Sequence, residues 1–303
     1  MEEYHNPVML QECLEGLALK PGGTYVDVTF GGGGHSRAIL EQLEGGRLVV
    51  FDQDADAKAN TEAIDDDRLI FVAANFRHLK RFLRLHRIAE VDGLLADLGV
   101  SSHQIDDADR GFSTRFDASL DMRMDQGMDK TAADILQNYH EKELHRILGM
   151  YGEVRNAKTL AAAIVASRVN QPVETVADLK NILDRYAPRH KEFRYYAQVF
   201  QALRIELNDE MGALRDLLEQ AADMLAPEGR LVVMSYHSLE DRLVKTFINK
   251  GSFRGEPEKD LYGNVDKPLT AITRKPVMAN EEEVKANPRA RSAKLRVAEK
   301  TGK

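Results

Sequence analysis

The sequence holds one cysteine in 303 residues. Cys13 has no partner within the chain, which excludes an internal disulfide framework and a cysteine-built metal cluster. No His/Cys/carboxylate group sits at ligand spacing either, so no metal is expected. No apolar run approaches the roughly 20 residues that a helix needs to cross a bilayer, so no membrane is expected. The opening MEEYHNPVML has neither the basic start nor the apolar core of a secretory leader, and the cytoplasm is the expected compartment. Internal repeats and low-complexity tracts are missing too. Positive charge is not in surplus. Lys and Arg number 42 against 49 Asp and Glu, a formal net charge of −7. That balance counts against unspecific nucleic-acid binding but leaves room for local basic patches. What remains is an ordinary globular composition, 43% hydrophobic and 30% charged, long enough for one large domain or two.

The first third alternates short apolar runs with helical patterns. TYVDVTF (Thr24–Phe30), RLVVFDQD (Arg47–Asp54), RLIFVAA (Arg68–Ala74) and VDGLLADLG (Val91–Gly99) are rich in β-branched and aromatic residues and bounded by turn residues. They read as buried strands. Strand–helix–strand alternation with short connections implies a parallel sheet covered by helices, an α/β fold. A fifth strand, Gly229–Ser238, is expected far downstream, after one helix over about Val199–Leu225 that stops at APEG. Between Asp106 and Arg194 no strand is convincing, and the amphipathic periodicities there predict an inserted helical subdomain. Thr270–Ala279 and Ser292–Lys300 are candidates for final, partly antiparallel strands.

Four glycines, Gly31 to Gly34, lie between the first strand and the next helix. This is the geometry that brings backbone against a ligand. The dinucleotide fingerprint needs a third glycine where Ser36 stands, which weakens that reading. Asp52 closes the second strand about 20 residues on, where a carboxylate accepts both ribose hydroxyls of an adenosine. With Asp27 as an early acid, the set suits S-adenosylmethionine, which has no pyrophosphate. His35 reads equally as a ligand contact or as a polar residue of the first helical turn. Phe76 follows the third strand and either stacks on the adenine or fills the core. Asp97 ends the fourth strand, between cofactor and substrate, or else caps a loop. In SYHSLEDR, Ser238 is a candidate helix N-cap, while Ser235 and His237 are candidates to face the substrate.

Taken in order, TFGGGGHS, DQD, LLADLGVSSHQIDDADRGFS, LDMRMD, FQALRIELN, SYHSLEDR and NPRARSAKLR resemble the bacterial 16S ribosomal RNA cytosine-N4 methyltransferases over nearly the whole chain. The resemblance implies a Rossmann-like class I methyltransferase sheet, residues 1–105 and 195–303, with an inserted all-helical subdomain, residues 106–194. It implies S-adenosylmethionine as cofactor, held by Gly33, Gly34, His35, Asp52, Phe76, Asp97 and Gln104. It implies N4 methylation of one cytosine in the decoding region of 16S rRNA in the small ribosomal subunit. Two positions depart from the family pattern: His103 stands where many members have proline, and Tyr236 where phenylalanine is usual. DLGV is not the Pro-Pro-aromatic motif of DNA amino methyltransferases, so catalytic contacts do not carry over from those enzymes. Asp97, Ser235 and His237 are the catalytic candidates, with Asp97 or a nearby backbone carbonyl accepting a hydrogen bond from the target amine and Ser235 or His237 holding the base edge.

Two basic stretches are candidate RNA contacts, or else solvated surfaces with their aromatics packed inward. Arg185–Tyr196 carries Arg185, Arg189, Lys191 and Arg194, with interleaved tyrosines that either stack on bases or pack inward. The tail carries Lys285, Arg289, Arg291, Lys294, Arg296, Lys300 and Lys303. A methyltransferase of another substrate and a non-catalytic ribosome-assembly factor stay open as alternatives, and a homodimer is compatible with the sequence.

Overall fold

The computed structural model describes residues 7–253 and 267–302. The chain divides into two compact units. One takes the described residues up to Gly99 and from Met211 onward; the other is Val100–Glu210.

The first unit opens with α1 (Leu10–Leu17) and then alternates: β1 (Thr24–Asp27), α2 (Gly34–Gln42), β2 (Arg47–Asp52), α3 (Ala57–Glu62), β3 (Leu69–Ala73), α4 (Leu79–Leu85) and β4 (Val91–Asp97). β1 pairs in parallel with both β2 and β4, and β2 with β3.

The second unit holds α5 (Ser102–Asp106), α6 (Ala132–Asn138), α7 (Glu141–Met150), α8 (Ala157–Asn170), α9 (Val176–Leu183) and α10 (Glu192–Asn208). Capping boxes of Thr131 with Asp134 and of Thr175 with Asp178 start α6 and α9. Each satisfies two backbone donors that a helix end leaves orphaned. Leu144, Ile147, Leu160, Ile164, Leu179, Val199 and Leu203 share its buried core. This unit begins before the expected boundary at Asp106 and runs past the one at Arg194, because α10 packs its apolar stripe into this core.

The chain then forms α11 (Glu210–Met224), β5 (Leu225–Ser235), α12 (Ser238–Lys250), β6 (Leu269–Ala271), α13 (Glu281–Ala286) and β7 (Lys294–Lys300). The single helix expected over 199–225 is two helices, broken where Asp209 takes a left-handed conformation with φ 47°. Aspartate tolerates that region better than most residues. β5 also starts earlier than expected. Leu225 already pairs with Val91, and an irregularity follows before Arg230 meets Gly93.

The seven strands run in the order β3-β2-β1-β4-β5-β7-β6, a Rossmann-like sheet with β7 antiparallel to both of its neighbours. Alternation along each strand builds two separate cores. Val26, Val49, Phe51, Leu94, Ala96, Leu231 and Val233 pack with α4, α11 and α12. Tyr25, Leu48, Val50, Leu95, Val232 and Met234 pack with α1 and α2. The order reverses at β1, between β2 and β4, and in such sheets ligands bind beyond the carboxyl ends of the strands at that point.

Candidate functional site

The same period-two alternation that builds the cores places the acids. Asp27 shares strand parity with Tyr25, Asp52 with Val50, and Asp97 with Leu95. All three therefore project on the α1/α2 side at the carboxyl ends of β1, β2 and β4.

The glycine loop turns sharply after β1. Gly33 N–H donates to the Phe30 carbonyl at 2.8 Å, and Gly31 and Gly33 sit at φ 51° and 76°. Those values favour glycine. A Cβ on Gly33 would lie 3.0 Å from the Phe30 ring, whereas Gly32 faces open space. Backbone here is bare where a ligand would approach. Asp27 anchors the loop from below. Its Oδ2 accepts from Ser36 Oγ at 2.6 Å and its Oδ1 from Thr29 N–H at 3.0 Å. Asp27 is thus buried and occupied by the protein itself.

Asp52 is arranged differently. Oδ2 accepts the Gly31 N–H at 2.8 Å and Oδ1 the Asp54 N–H at 2.9 Å. Each oxygen retains a lone pair for a further donor, which matches a vicinal diol. Burial pushes its carboxyl up to about 6, with backbone hydrogen bonds opposing and the Asp54 and Asp27 charges adding. A ligand that brought two hydroxyl donors would relieve this cost. Beside it, Asn75 Nδ2 donates to Gln53 Oε1 at 2.7 Å, joining the ends of β2 and β3. Phe76 is half-buried and packs against the core that faces α4 and α11, which accounts for one of its two expected roles.

Asp97 lies among three elements. Its backbone N–H donates to Thr29 Oγ1 at 2.7 Å. Its Oδ1 accepts the Tyr236 hydroxyl at 2.8 Å. Its Oδ2 is 3.9 Å from His35 Nδ1. His35 is buried at the start of α2, with Nε2 3.1 Å from the Val8 carbonyl. A carbonyl only accepts, so Nε2 carries a proton, and the ring turns Nδ1 toward Asp97. Burial pushes the Asp97 carboxyl up to about 6, while His35 and the Tyr236 hydroxyl pull it down and Asp27 and Glu240 add to the rise. Tyr236 and Thr29 were not among the residues expected here. The sequence marks Tyr236 only as a hydroxyl where the resemblance has phenylalanine, two residues beyond Met234 on the same strand face, and does not name its partner.

The other two catalytic candidates have structural partners. Ser235 is 2% exposed, and its hydroxyl donates to the Lys294 carbonyl across the β5–β7 pair; strand parity puts it with Leu231 and Val233, facing the core. His237, not Ser238, is the N-cap of α12: its Nδ1 accepts the Glu240 N–H at 3.4 Å. Its Nε2 lies 3.2 Å from Glu240 Oε1, at ion-pair distance without hydrogen-bond geometry. The ring is held by the helix start. Gln104 belongs to the other unit, where it closes the α5 capping box with Ser101. His103, the departure from proline, is inside α5. Cys13 is fully buried, and burial pushes its thiol up, so it is not a nucleophile.

The basic stretches also change. Tyr195 and Tyr196 are buried, with hydroxyls bonded to Asn156 and Asp184, and Tyr186 packs against the same core. The buried Tyr195 and Tyr196 offer no open face to a base; the exposed ring of that stretch is Phe193, at 83%. In the tail, Arg296 is buried against Asp241 at 2.7 Å, Lys294 lies 3.7 Å from the same carboxylate, and Lys300 donates to the Ala222 carbonyl. These three belong to the sheet rather than to a basic wall. Lys303 lies outside the described residues.

Comparison with known proteins gives a consistent result. The model of the MraW methylase family matches residues 2–301. The chain is 59% identical over 297 residues to the ribosomal RNA small subunit methyltransferase H of Cytophaga hutchinsonii, covering 98% of this chain and 99% of that protein. It is 54% identical over 299 residues to the protein of that name from Flavobacterium johnsoniae, covering 98% of each. To that of Parabacteroides distasonis it is 53% identical over 299 residues, covering 98% and 97%.

Proposed function

The chain belongs to the MraW methylase family, and from that premise we propose that it transfers a methyl group from S-adenosylmethionine to the N4 amine of a cytosine in the decoding region of 16S rRNA, in the cytoplasm. The observation that carries this reading is the pair Asp52 and Asp97. They flank the bare glycine loop at the point where strand order reverses, and both have carboxyls pushed up by burial. Partly buried carboxylates with spare acceptor capacity call for ligand donors.

The residues fit the cofactor. Asp52 would take the ribose hydroxyls, Phe76 would border the adenine, and Gly32 to Gly34 would lie along the amino-acid end. The bound cofactor supplies an electrophilic methyl on a sulfonium. The protein's own task is alignment and proton management. The cytosine amine is a poor nucleophile because its lone pair is delocalised into the ring. An ionised Asp97 that accepts one N–H returns density to nitrogen and is placed to take the proton the amine must lose. Tyr236 and Thr29 hold Asp97 in one orientation for that contact. The chemistry of the chain also favours nitrogen over ring carbon. Methylation at C5 of cytosine requires a thiolate to add to the ring first, and the one cysteine, Cys13, is buried with its thiol pushed up. The target base must leave its stack to reach such a site.

The test is mass spectrometry of small-subunit rRNA nucleosides from cells with and without this gene. Loss of N4-methylated cytidine from 16S rRNA is expected. An unchanged nucleoside profile overturns the assignment.

A further inference from the structure

The start of α10 combines two features that the cofactor chemistry does not use. Phe193 is 83% exposed in the first turn of a helix that otherwise buries its large apolar residues. Its ring meets that of Tyr196 edge-on, with centroids 6.3 Å apart and planes at 72°. Tyr196 is fixed in turn by its hydroxyl bond to Asp184. The exposed ring is thus braced from the protein side and open to solvent. Around it in sequence stand Arg185, Arg189, Lys191 and Arg194, all exposed. Among the described residues no carboxylate pairs with any of the four side chains. The two nearby acids are otherwise engaged: Asp184 by Tyr196, and Glu192 by the His190 N–H at 2.9 Å.

We propose that this segment binds a single-stranded stretch of the substrate RNA, with Phe193 as the stacking platform for one base and Arg185, Arg189, Lys191 and Arg194 as phosphate contacts. The inference rests on the rRNA reading above and names a surface for it. An isolated exposed ring among unpaired cations has the composition of a nucleotide-binding surface. A protein-docking surface presents a broader apolar patch with fewer charges at its centre. The bracing by Tyr196 lowers the cost of ordering the ring when a base arrives.

The experiment uses the full-length protein and a short, unstructured, fluorescently labelled RNA oligonucleotide, read by anisotropy across a salt series. Phe193→Ala should weaken binding by about five- to a hundredfold, the range one base–aromatic stack contributes. Phe193→Tyr should bind like the wild type, and Phe193→Leu should fail like the alanine variant, since leucine keeps apolar area but offers no π face. Charge reversal of Arg189 and Arg194 together should weaken binding and reduce the slope of log affinity against log salt by roughly 1.4. Melting temperatures should not move for the Phe193 variants, because the side chain is exposed. Wild-type protein that ignores the oligonucleotide, or Phe193→Ala that binds it unchanged, overturns the proposal. Leucine as good as phenylalanine overturns it too, and points to a protein contact. Wild-type cofactor binding by calorimetry and methylation of small-subunit particles are measured alongside. Their loss refutes the enzymatic reading, whereas intact methylation with unaltered Phe193→Ala binding refutes only this surface.

Discussion

The Tyr236 hydroxyl donates to Asp97 Oδ1 at 2.8 Å, joining the carboxyl end of β4 to the turn that follows β5. The bond favours the ionised carboxylate. Tyr236→Phe removes it while keeping the ring. Asp97 should then hold its proton to higher pH, and the acid limb of the methyl-transfer profile should move upward in pH. The fold should lose about 1–2 kcal/mol at neutral pH, the lower part of the range for a hydrogen bond to a charged group, because Asp97 is partly solvated. The protein should stay active, since phenylalanine is usual at this position in the family it resembles. An acid limb that does not move removes Tyr236 from any role in orienting or tuning Asp97.

Asp52 makes cofactor binding depend on pH. Its carboxyl is pushed up to about 6, and ribose hydroxyls are donors that favour the ionised form. Binding should therefore lower its pKa and release a proton near pH 6, so affinity should fall as pH drops below about 6. Calorimetry in buffers of different ionisation enthalpy reads that proton directly. Asp52→Ala should abolish the proton release and weaken affinity at least about tenfold, given hydrogen bonds to a charged group worth about 1.5–3 kcal/mol each. Wild-type affinity that stays flat from pH 5 to 8 would refute the ribose contact.

Asp97→Asn separates chemistry from binding. The amide oxygen still accepts from Tyr236, and asparagine matches aspartate in size, so the variant fits the site. Methyl transfer should fall far more than S-adenosylmethionine affinity. Stability gives a second readout. The carboxyl sits at about 6 in the fold against an ordinary 3.8, so between these values the folded protein binds the proton that the unfolded chain has lost. Its contribution to stability is therefore present at low pH and lost as pH rises through that window. Asparagine does not titrate, so relative to the wild type the variant should gain stability between pH 4 and 7 in urea unfolding. Equal losses of turnover and cofactor affinity would make Asp97 a binding residue alone.

Much of this was legible in the sequence, for a physical reason. Strand alternation is enforced by the two cores, so the acids ending β1, β2 and β4 could be placed on one face from Tyr25, Val50 and Leu95 alone. The same rule, applied to Leu231 and Val233, would have buried Ser235. Helical phase in α10, with Tyr195, Tyr196, Val199 and Leu203 inward, would have exposed Phe193 and withdrawn the tyrosines from RNA. The break at Asp209 was not legible. Apolar periodicity runs through both helices, and one left-handed residue leaves no mark on it. Nor was Tyr236 legible as a partner of Asp97, because the hydrogen bond joins residues far apart in sequence.

Asn208 explains why LDMRMD and FQALRIELN occur together. Its amide is buried at the end of α10. Nδ2 donates to the Met122 carbonyl and to the Arg204 carbonyl, each at 2.9 Å, and Oδ1 accepts the Met124 N–H at 2.8 Å. Two of these three contacts thus fasten the Met122–Met124 backbone, where Met122 itself is left-handed at φ 59°. That conformation is costly for methionine and needs such support. Asn208→Ala leaves a buried N–H and a carbonyl without this partner, each costing about 1–3 kcal/mol. The variant should lose roughly 2–4 kcal/mol of stability, with the drop visible in thermal melting. Asn208→Asp should lose a comparable amount, because a carboxylate keeps the acceptor but cannot donate to Met122. Neither change touches the glycine loop, Asp52 or Asp97, so cofactor affinity of the folded protein should persist. A variant that melts like the wild type would leave the pairing of these two motifs without this explanation.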